Sequence, residues 1–192
     1  MSDVDQKKRR LLQLAGVWGA AGIVGGATPF ISSLYPNRSA RLKGMPVTVD
    51  LSTMAFGEQK TIMWRGKPVW VVKRSQEALD ALPQLDDQLR DPNSEVPQQP
   101  GYATNLYRSI NPAYLVLIGV CTHLGCAPTY RPEKGAIDPD WPGGFFCSCH
   151  GSKFDMAGRV FTGVPAPTNL EVPPHHFSED DVLVIGSESA DE

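Results

Sequence analysis

Cysteine is scarce in this chain and unevenly placed. Only four of the 192 residues are cysteines, and all four lie in the short segments CTHLGC, residues 121–126, and CSCHGS, residues 147–152. The same two segments also hold two of the four histidines. Any chemistry that depends on sulfur is therefore confined to these segments.

The chain also lacks an excess of basic residues. It has 18 lysines and arginines against 21 acidic residues, with a formal net charge of −3, and the two signs are interspersed. Because a nucleic acid backbone needs a basic surface, no nucleic-acid partner is expected. The sequence shows neither a Ser–His–Asp arrangement nor a glycine-rich loop of the kind that binds phosphate.

Charge is absent altogether from residues 11–34, LLQLAGVWGAAGIVGGATPFISSL. As a helix, this segment would extend for about 36 Å, which is enough to cross a hydrocarbon core of about 30 Å. Small residues fill its middle, as is typical of helices that pack closely against a partner helix in a membrane. The segment predicts an anchor in the lipid bilayer, residues 11–35.

A basic segment, residues 1–10, precedes this anchor and ends in Lys7-Lys8-Arg9-Arg10. Adjacent arginines before an apolar segment are typical of twin-arginine export signals, so we expect a cytoplasmic N-terminus and an exported head. The apolar segment is longer than the core of a cleaved signal, which favours a retained single-pass anchor. Cleavage near residues 37–40 is the alternative.

The rest of the chain is polar at first and then rich in short β-like segments. Residues 36–46, PNRSARLKGMP, predict a flexible linker, because they combine polar residues with proline and glycine. Residues 47–192 contain many short strand-like segments between glycine- and proline-rich turns, with little helix. We therefore predict a mainly β protein: one transmembrane helix followed by an antiparallel β-sandwich or barrel-like head.

Several segments of the head predict individual elements. A hairpin is expected around residues 65–68, and a short helix is expected between the N-cap residue Ser75 and Pro83. Residues 113–120, AYLVLIGV, predict a buried strand that leads directly to Cys121. Further strands are expected at VTVDLS, GFFCSCH, GRVFTG and DDVLVIG.

Each cysteine-rich segment combines sulfur with imidazole. One residue separates Cys121 from His123, and two separate Cys147 from His150, so each pair can lie on one tight loop. Two thiolates and two imidazoles suit a tetrahedral zinc ion, and they also suit a 2Fe–2S cluster with cysteines on one iron and histidines on the other. The spacing favours the cluster over zinc, and two disulfides with unbound histidines are the third alternative.

CTHLGC and CSCHGS resemble the two cluster-binding segments of Rieske iron–sulfur proteins. The second cysteine in each segment resembles the high-potential branch of that family, which occurs in quinol-oxidising cytochrome bc complexes. Residues 164–173, VPAPTNLEVP, resemble the proline loop that covers the cluster in that branch. The resemblance implies a Rieske-type head, in which residues 119–168 form a small cluster-binding subdomain.

Carried over by position, the resemblance also implies residue roles. The ligands of one Rieske-type 2Fe–2S cluster would come from both segments: Cys121 and Cys147 on the inner iron, His123 and His150 on the outer iron. Cys126 and Cys149 would form a disulfide. His150 would meet quinol and accept its proton, and Leu124 and Gly125 would lie on the apolar docking tip.

The resemblance further implies how the cluster is tuned. Ser152 would donate a hydrogen bond to a cluster sulfide. Phe154 stands where the family often has a tyrosine that donates to a ligand sulfur, so a lower potential is expected. By contrast, His175 and His176 follow two prolines and are expected in a solvated loop without a ligand role.

The function implied is that of the electron-transfer subunit of a quinol–cytochrome c reductase, respiratory complex III. It would oxidise membrane quinol with coupled proton transfer and pass the electron to a c-type cytochrome. Cytochrome b and a c-type cytochrome would be its partners, in a dimeric complex of a bacterial inner membrane with the head in the periplasm. The alternatives are a Rieske subunit of another exported oxidoreductase, such as arsenite oxidase, and a zinc-stabilised binding module without a redox role.

Overall fold

The computed structural model describes residues 3–35 and 44–189. Contacts divide the chain into two units, Met1–Leu42 and Lys43–Glu192. Apart from residues 44–46, the predicted linker lies outside the described residues.

The first unit contains one helix, α1, Asp3–Ser33, whose 31 residues extend for about 46 Å at 1.5 Å per residue. Within it, Asp5–Ser33 has the length and composition of a membrane span. The basic residues predicted to precede the anchor belong to the same helix, because lysine, arginine and glutamine favour helix and no proline or glycine interrupts them.

The second unit is mainly β, and its described part contains nine strands in three antiparallel sheets. In chain order the strands are β1 Val47–Asp50, β2 Gln59–Trp64, β3 Lys67–Lys73, β4 Tyr114–Ile118, β5 Thr129–Arg131, β6 Gly144–Cys147, β7 Ser152–Phe154, β8 His175–Glu179 and β9 Val182–Ile185. The sheets have the strand orders β1-β9-β8, β2-β3-β4 and β5-β6-β7. One N-terminal helix and a mainly β head confirm the predicted fold class.

The predicted hairpin joins β2 to β3. Arg65 and Gly66 form its two-residue turn, and both have positive φ values, 50° and 75°. Two left-handed residues match the twist of paired strands, which is why such turns are common in hairpins. The predicted short helix is also confirmed as α2, Gln76–Ala81, where the Ser75 hydroxyl accepts a hydrogen bond from the N–H of Ala78. The chain continues as a 3₁₀ helix, Leu82–Gln88, and a second 3₁₀ helix spans Gly101–Ala103.

Within the sheet β2-β3-β4, strand β4 is buried on both faces. Along β4, Val116 belongs to the same core cluster as Leu183 and Ile185 of β9, whereas Leu117 belongs to that of Phe145 of β6. Because alternate residues of a strand face opposite sides, a strand covered on both sides is apolar throughout. All five residues of β4 are buried, which confirms the predicted buried strand.

Two expectations for the head are wrong. GRVFTG was predicted as a strand but forms only isolated bridges, through Val160 and Phe161. The chain reverses direction just before it, in a turn where Asp155 and Arg159 are hydrogen-bonded through both their backbones and their side chains. His175 lies in β8 and is fully buried, not in a solvated loop. The two prolines before His175 suggested a loop. Residues 175–179 have no strand-like pattern of their own and form β8 because they pair with β9.

Candidate metal centre

The two cysteine-rich segments form loops of the same local shape. In the first loop, the N–H of Gly125 donates to the carbonyl of Cys121 at 3.0 Å, and in the second, that of Gly151 donates to Cys147 at 2.9 Å. Both glycines have left-handed backbones, with φ values of 82° and 79°. Residues with a Cβ atom rarely adopt this conformation, so glycine permits each sharp turn.

The loops are mounted on different sheets. The first follows β4, the strand that is buried on both faces. The second joins β6 to β7, whose end residues Cys147 and Ser152 pair directly across the hairpin. The site therefore combines one loop that follows the sheet β2-β3-β4 with one loop of the small sheet β5-β6-β7.

A disulfide joins the two loops. It links Cys126 to Cys149, whose Cα atoms are 6.7 Å apart. The other two cysteines, Cys121 and Cys147, are free, and each is 2% exposed. One pair of sulfurs thus crosslinks the loops, and the other pair remains as buried thiols.

The two histidines of these segments lie together at the outer end of the loops. The rings of His123 and His150 are 4.7 Å apart between centroids and nearly perpendicular, at 87°. His150 is exposed, as are Gly125 and Leu124, which is 70% exposed. The free thiols therefore face the interior, and the imidazoles face the surface.

The thiol of Cys147 has a distinctive environment. Burial raises its pKa, and the neighbouring Cys121 thiol raises it further, while the backbone N–H groups of Cys149 and His150 lower it. Those N–H groups also point at a sulfur that would be negative when bound to a metal. Because a metal ligand must be a thiolate, metal binding here would displace a proton.

Three of the sulfurs, those of Cys126, Cys147 and Cys149, lie within 4.8 Å of one another. Two of them are bonded to each other, so this group offers one thiol and is not a ligand set as it stands. The donors that remain are two thiols on the buried side and two imidazoles on the exposed side. This segregation fits a two-iron group with unlike ends, and the donor types suit it chemically.

The segment 164–173 contacts both loops. The Thr122 hydroxyl donates to the carbonyl of Thr168 at 2.7 Å, and the N–H of Ala166 donates to the Ser152 hydroxyl at 3.1 Å. Ser152 is fully buried, and no hydrogen bond among the described residues uses its hydroxyl proton, which is therefore available to a bound group. Sequence reasoning missed Thr122, although its hydroxyl between two candidate ligands was a signal.

The buried Arg108 holds the base of this segment in place, a role that the sequence did not indicate, and a second buried arginine, Arg159, lies in an ion pair. Arg108 is fully buried and donates to the carbonyls of Leu170 at 2.7 Å and Gly158 at 3.3 Å. Burial lowers the pKa of Arg108 to about 10, so the guanidinium remains charged at neutral pH. Arg159 forms a buried ion pair with Asp155 at 2.8 Å.

Aromatic rings close the site from behind. The ring of Trp70 stacks on that of Phe145 at 5.2 Å and 6°. Phe145, Phe154 and the two free cysteines belong to the same core cluster. The inner side of the site is therefore continuous with the main core of the head and is closed to water.

Comparison with known proteins gives consistent matches. Residues 45–174 match the model of the Rieske [2Fe-2S] domain. The ubiquinol-cytochrome c reductase iron-sulfur subunit of Allochromatium vinosum is 53% identical over 188 residues, which cover 96% of this chain and 91% of that protein. The subunit of the same name from Bradyrhizobium diazoefficiens is 41% identical over 172 residues, which cover 88% of this chain and 89% of that protein. Among solved structures, a chain of a hyperthermophilic respiratory Complex III is 23% identical, with a TM-score of 0.48 over 88% of this chain and 96% of its own.

Proposed function

The chain belongs to the family of Rieske iron–sulfur subunits of ubiquinol–cytochrome c reductase, and from this premise we propose that it oxidises membrane quinol and passes the electron to a c-type cytochrome. Its cofactor is a Rieske-type 2Fe–2S cluster. The observation that carries the proposal is the pair of adjacent imidazoles, His123 and His150, at the exposed end of a site whose free thiols are buried. An electron carrier of this kind must meet its substrate at the surface and exclude water behind it.

The burial of the four side chains indicates which side of the cluster each would bind. Cys121 and Cys147 would hold the buried side of the cluster, and His123 and His150 would hold its exposed side. When bound, the cluster supplies a one-electron acceptor, whose potential lies in the range of about −150 to +300 mV because neutral imidazoles replace two thiolates. Ser152 would donate its hydroxyl proton to a sulfide of the bound cluster and so favour the reduced state.

His150 is the residue that meets the substrate. An imidazole that binds metal through one nitrogen keeps the other available as a hydrogen-bond acceptor for a quinol hydroxyl. The same nitrogen then takes up the proton that quinol loses with its electron. The exposure of His150 supports this role, whereas the ring of His123 is only half-exposed.

The surface around His150 suits docking in an apolar pocket. Residues 120–130, 141–152 and 162–170, which include both loops and most of the covering segment, contain no aspartate, glutamate, lysine or arginine. Leu124 and Gly125 lie exposed beside the histidines and form the docking tip. An uncharged tip can enter a quinol site without leaving a charge desolvated and unpaired.

The proposed role of the N-terminal helix is to anchor the protein in a membrane. Its apolar length supports a retained anchor with the N-terminus in the cytoplasm and the head in the periplasm of a bacterial inner membrane. Arg9 and Arg10 act as the twin-arginine export signal. Cytochrome b and a c-type cytochrome are the proposed partners, in a dimeric complex.

The linker, residues 36–46, lets the head reach the quinol site and then the cytochrome. Its composition of polar residues, glycine and proline supports this role. Shortening the linker should slow turnover and leave the cluster spectrum intact. Normal turnover in the shortened chain would contradict a moving head.

Electron paramagnetic resonance of the reduced, membrane-bound protein tests the function. We expect a rhombic 2Fe–2S signal that shifts when an inhibitor occupies the quinol site, together with iron and acid-labile sulfide. His150→Gln should abolish the signal, whereas the matched variant His176→Gln, a histidine on β8, should retain it. A protein without iron would contradict the cofactor, and a signal that no quinol-site inhibitor alters would contradict the quinol role.

A further inference from the structure

The free thiol of Cys147 lies beside the disulfide of the two loops. Its sulfur is within 4.8 Å of both sulfurs of the Cys126–Cys149 bond. We propose that in the chain without its cluster, Cys147 attacks this disulfide at Cys126 and releases Cys149. The exchange needs only these three sulfurs, and the consequence for cluster loading rests on the proposed ligand role of Cys147.

Position selects Cys147 as the attacking thiol. Its sulfur already lies within 4.8 Å of both disulfide sulfurs, so a local movement is enough to bring it to the bond. Cys121, the other free cysteine, lies outside this group of sulfurs. The two free cysteines therefore differ in reactivity, although both are buried and neither is oxidised.

Geometry and exposure select the bond that forms. A Cys147–Cys149 bond would close a small ring across one intervening residue within the turn that follows β6, and it would leave the two loops unjoined. A Cys126–Cys147 bond instead joins the two loops, as the original bond does. Cys149 is exposed, so the thiolate that leaves is hydrated.

The reaction is a balanced isomerisation. A bond forms between the sulfurs of Cys147 and Cys126 while the bond between Cys126 and Cys149 breaks. The electron pair of the broken bond leaves on the Cys149 sulfur, which takes up the proton that Cys147 lost. No oxidant or reductant is consumed.

The cluster and the disulfide thus protect each other. While Cys147 binds metal it cannot attack, so the loaded head keeps its Cys126–Cys149 bond. A chain that loses the cluster isomerises to a form in which the loops are still joined but one ligand thiol is missing. That form cannot take up a new cluster until the Cys149 thiol attacks the Cys126–Cys147 bond and reverses the exchange.

Differential labelling of the full chain in detergent, without oxygen, tests the exchange. Iron is removed by a chelator in the absence of added thiols, and samples are quenched in acid over time. Free thiols are alkylated with a light maleimide, and the remaining cysteines are alkylated with its heavy form after reduction. Trypsin leaves Cys121 with Cys126 and Cys147 with Cys149, so fragment ions must locate the labels.

We expect the light label to move from Cys147 to Cys149 in the cluster-free chain and to remain on Cys121. The loaded protein, treated without chelator, should show the heavy label on Cys149 throughout. A cluster-free chain that keeps the heavy label on Cys149 and the light label on Cys147 would overturn the proposal. A heavy label on Cys147 and Cys149 together, with Cys126 light, would overturn the proposed direction of attack.

Two cysteine variants complete the test, and neither requires a functional cluster. Cys147→Ser should leave the Cys126–Cys149 bond unchanged, whereas Cys121→Ser should still isomerise. Loss of exchange in Cys121→Ser would show that Cys147 is not sufficient. Since iron and sulfide are assayed separately in the starting protein, failure of the cofactor assignment is distinguished from failure of the exchange.

Discussion

The hydroxyl of Thr122 donates a hydrogen bond to the backbone carbonyl of Thr168 at 2.7 Å. Thr122 lies between Cys121 and His123 in the first loop, and Thr168 lies in the segment that covers both loops. The bond therefore fixes the covering segment to the loop that supplies half of the proposed ligands. Because both groups are partly buried, its net contribution to stability is about 1 kcal/mol.

Replacing Thr122 by valine removes this bond and keeps the shape of the side chain. We expect the apparent melting temperature of the head to fall by about 2–4 °C, as 1 kcal/mol implies for a domain of this size. Loss of visible cluster absorbance on heating measures the effect. Thr122→Ser keeps the hydroxyl and should melt close to the parent chain; equal losses in both variants would contradict a role for the bond.

Phe154→Tyr should raise the reduction potential of the cluster. Phe154 is fully buried in the core cluster that contains both free cysteines, and a tyrosine there would add a hydroxyl donor. A hydrogen bond to a ligand sulfur stabilises the more negative, reduced state. If the reduced state gains about 1 kcal/mol, the midpoint of this one-electron couple rises by about 40 mV.

Redox titration followed by EPR measures this midpoint. Phe146→Tyr is a matched control, because Phe146 lies next to Phe145 on β6, is half-buried and pairs with Lys153 across the sheet. It should leave the midpoint unchanged. A midpoint for Phe154→Tyr that is unchanged or lower than in the parent would contradict the missing-donor explanation.

The sequence predicted those helices and strands whose residues carry a clear local pattern. Strand β4 reads as an uninterrupted apolar segment, and α2 has its N-cap at Ser75. Strands β5, β7 and β8 were not predicted, because each is short and depends on a partner strand. His175 shows the difference: its burial comes from Tyr102 and β9, which are distant in the sequence.

The candidate site divides in the same way. Cysteines and histidines at short spacing are visible in the sequence, and the structure brings all of them to one tip. The contacts of Thr122 with Thr168 and of Arg108 with Leu170 join segments 46 and 62 residues apart. No local pattern predicts contacts over such sequence separations. The hydrogen bonds that hold the covering segment against the site were therefore visible only in the structure.

Asp155→Asn should destabilise the head severely. Asp155 and Arg159 are both fully buried, and the carboxylate also accepts the N–H groups of Ala157 and Arg159 at 2.8 Å each. Removing the negative charge leaves a buried guanidinium with one carboxylate partner, that of the half-exposed Asp86. The expected loss is about 3 kcal/mol, because an uncompensated buried charge is costly.

Denaturant unfolding followed by tryptophan fluorescence measures this loss. The surface pair of Lys134 with Glu77 at 2.6 Å is the contrast, since both side chains are mostly exposed. Ion pairs in water contribute little, so Glu77→Gln should unfold at the same denaturant concentration as the parent. Similar midpoints for Asp155→Asn and Glu77→Gln would contradict the importance of burial.

His175 should make the head less stable in mild acid. Its Nδ1 lies 2.8 Å from the carbonyl of Pro173, which can only accept, so Nδ1 carries the proton of the neutral ring. Its Nε2 is buried and has no hydrogen-bond partner within residues 44–189. Burial therefore lowers the pKa of His175, an effect that the Pro173 carbonyl opposes and the charge of His176 reinforces.

The sign of the pH dependence follows from that lowered pKa. Above the unfolded-state pKa of about 6.5 the ring is neutral in both states, and its contribution to stability is fully present. As the pH falls below this value, the unfolded chain binds a proton that the folded chain resists, so the free energy of unfolding decreases until the folded-state pKa is reached. Tyr102, whose hydroxyl faces the ring, has a pKa raised to about 12 by burial and stays neutral throughout.

Unfolding in denaturant at pH 7.5 and at pH 5 measures the decrease, and variants assign it to one residue. His175→Asn keeps a donor for the Pro173 carbonyl and cannot titrate, so its stability should change less between the two pH values than that of the parent. His176→Asn, on the same strand, removes only the smaller charge effect and should keep most of the parent's pH dependence. Equal dependence in the parent and in His175→Asn would mean that acid acts elsewhere in the protein.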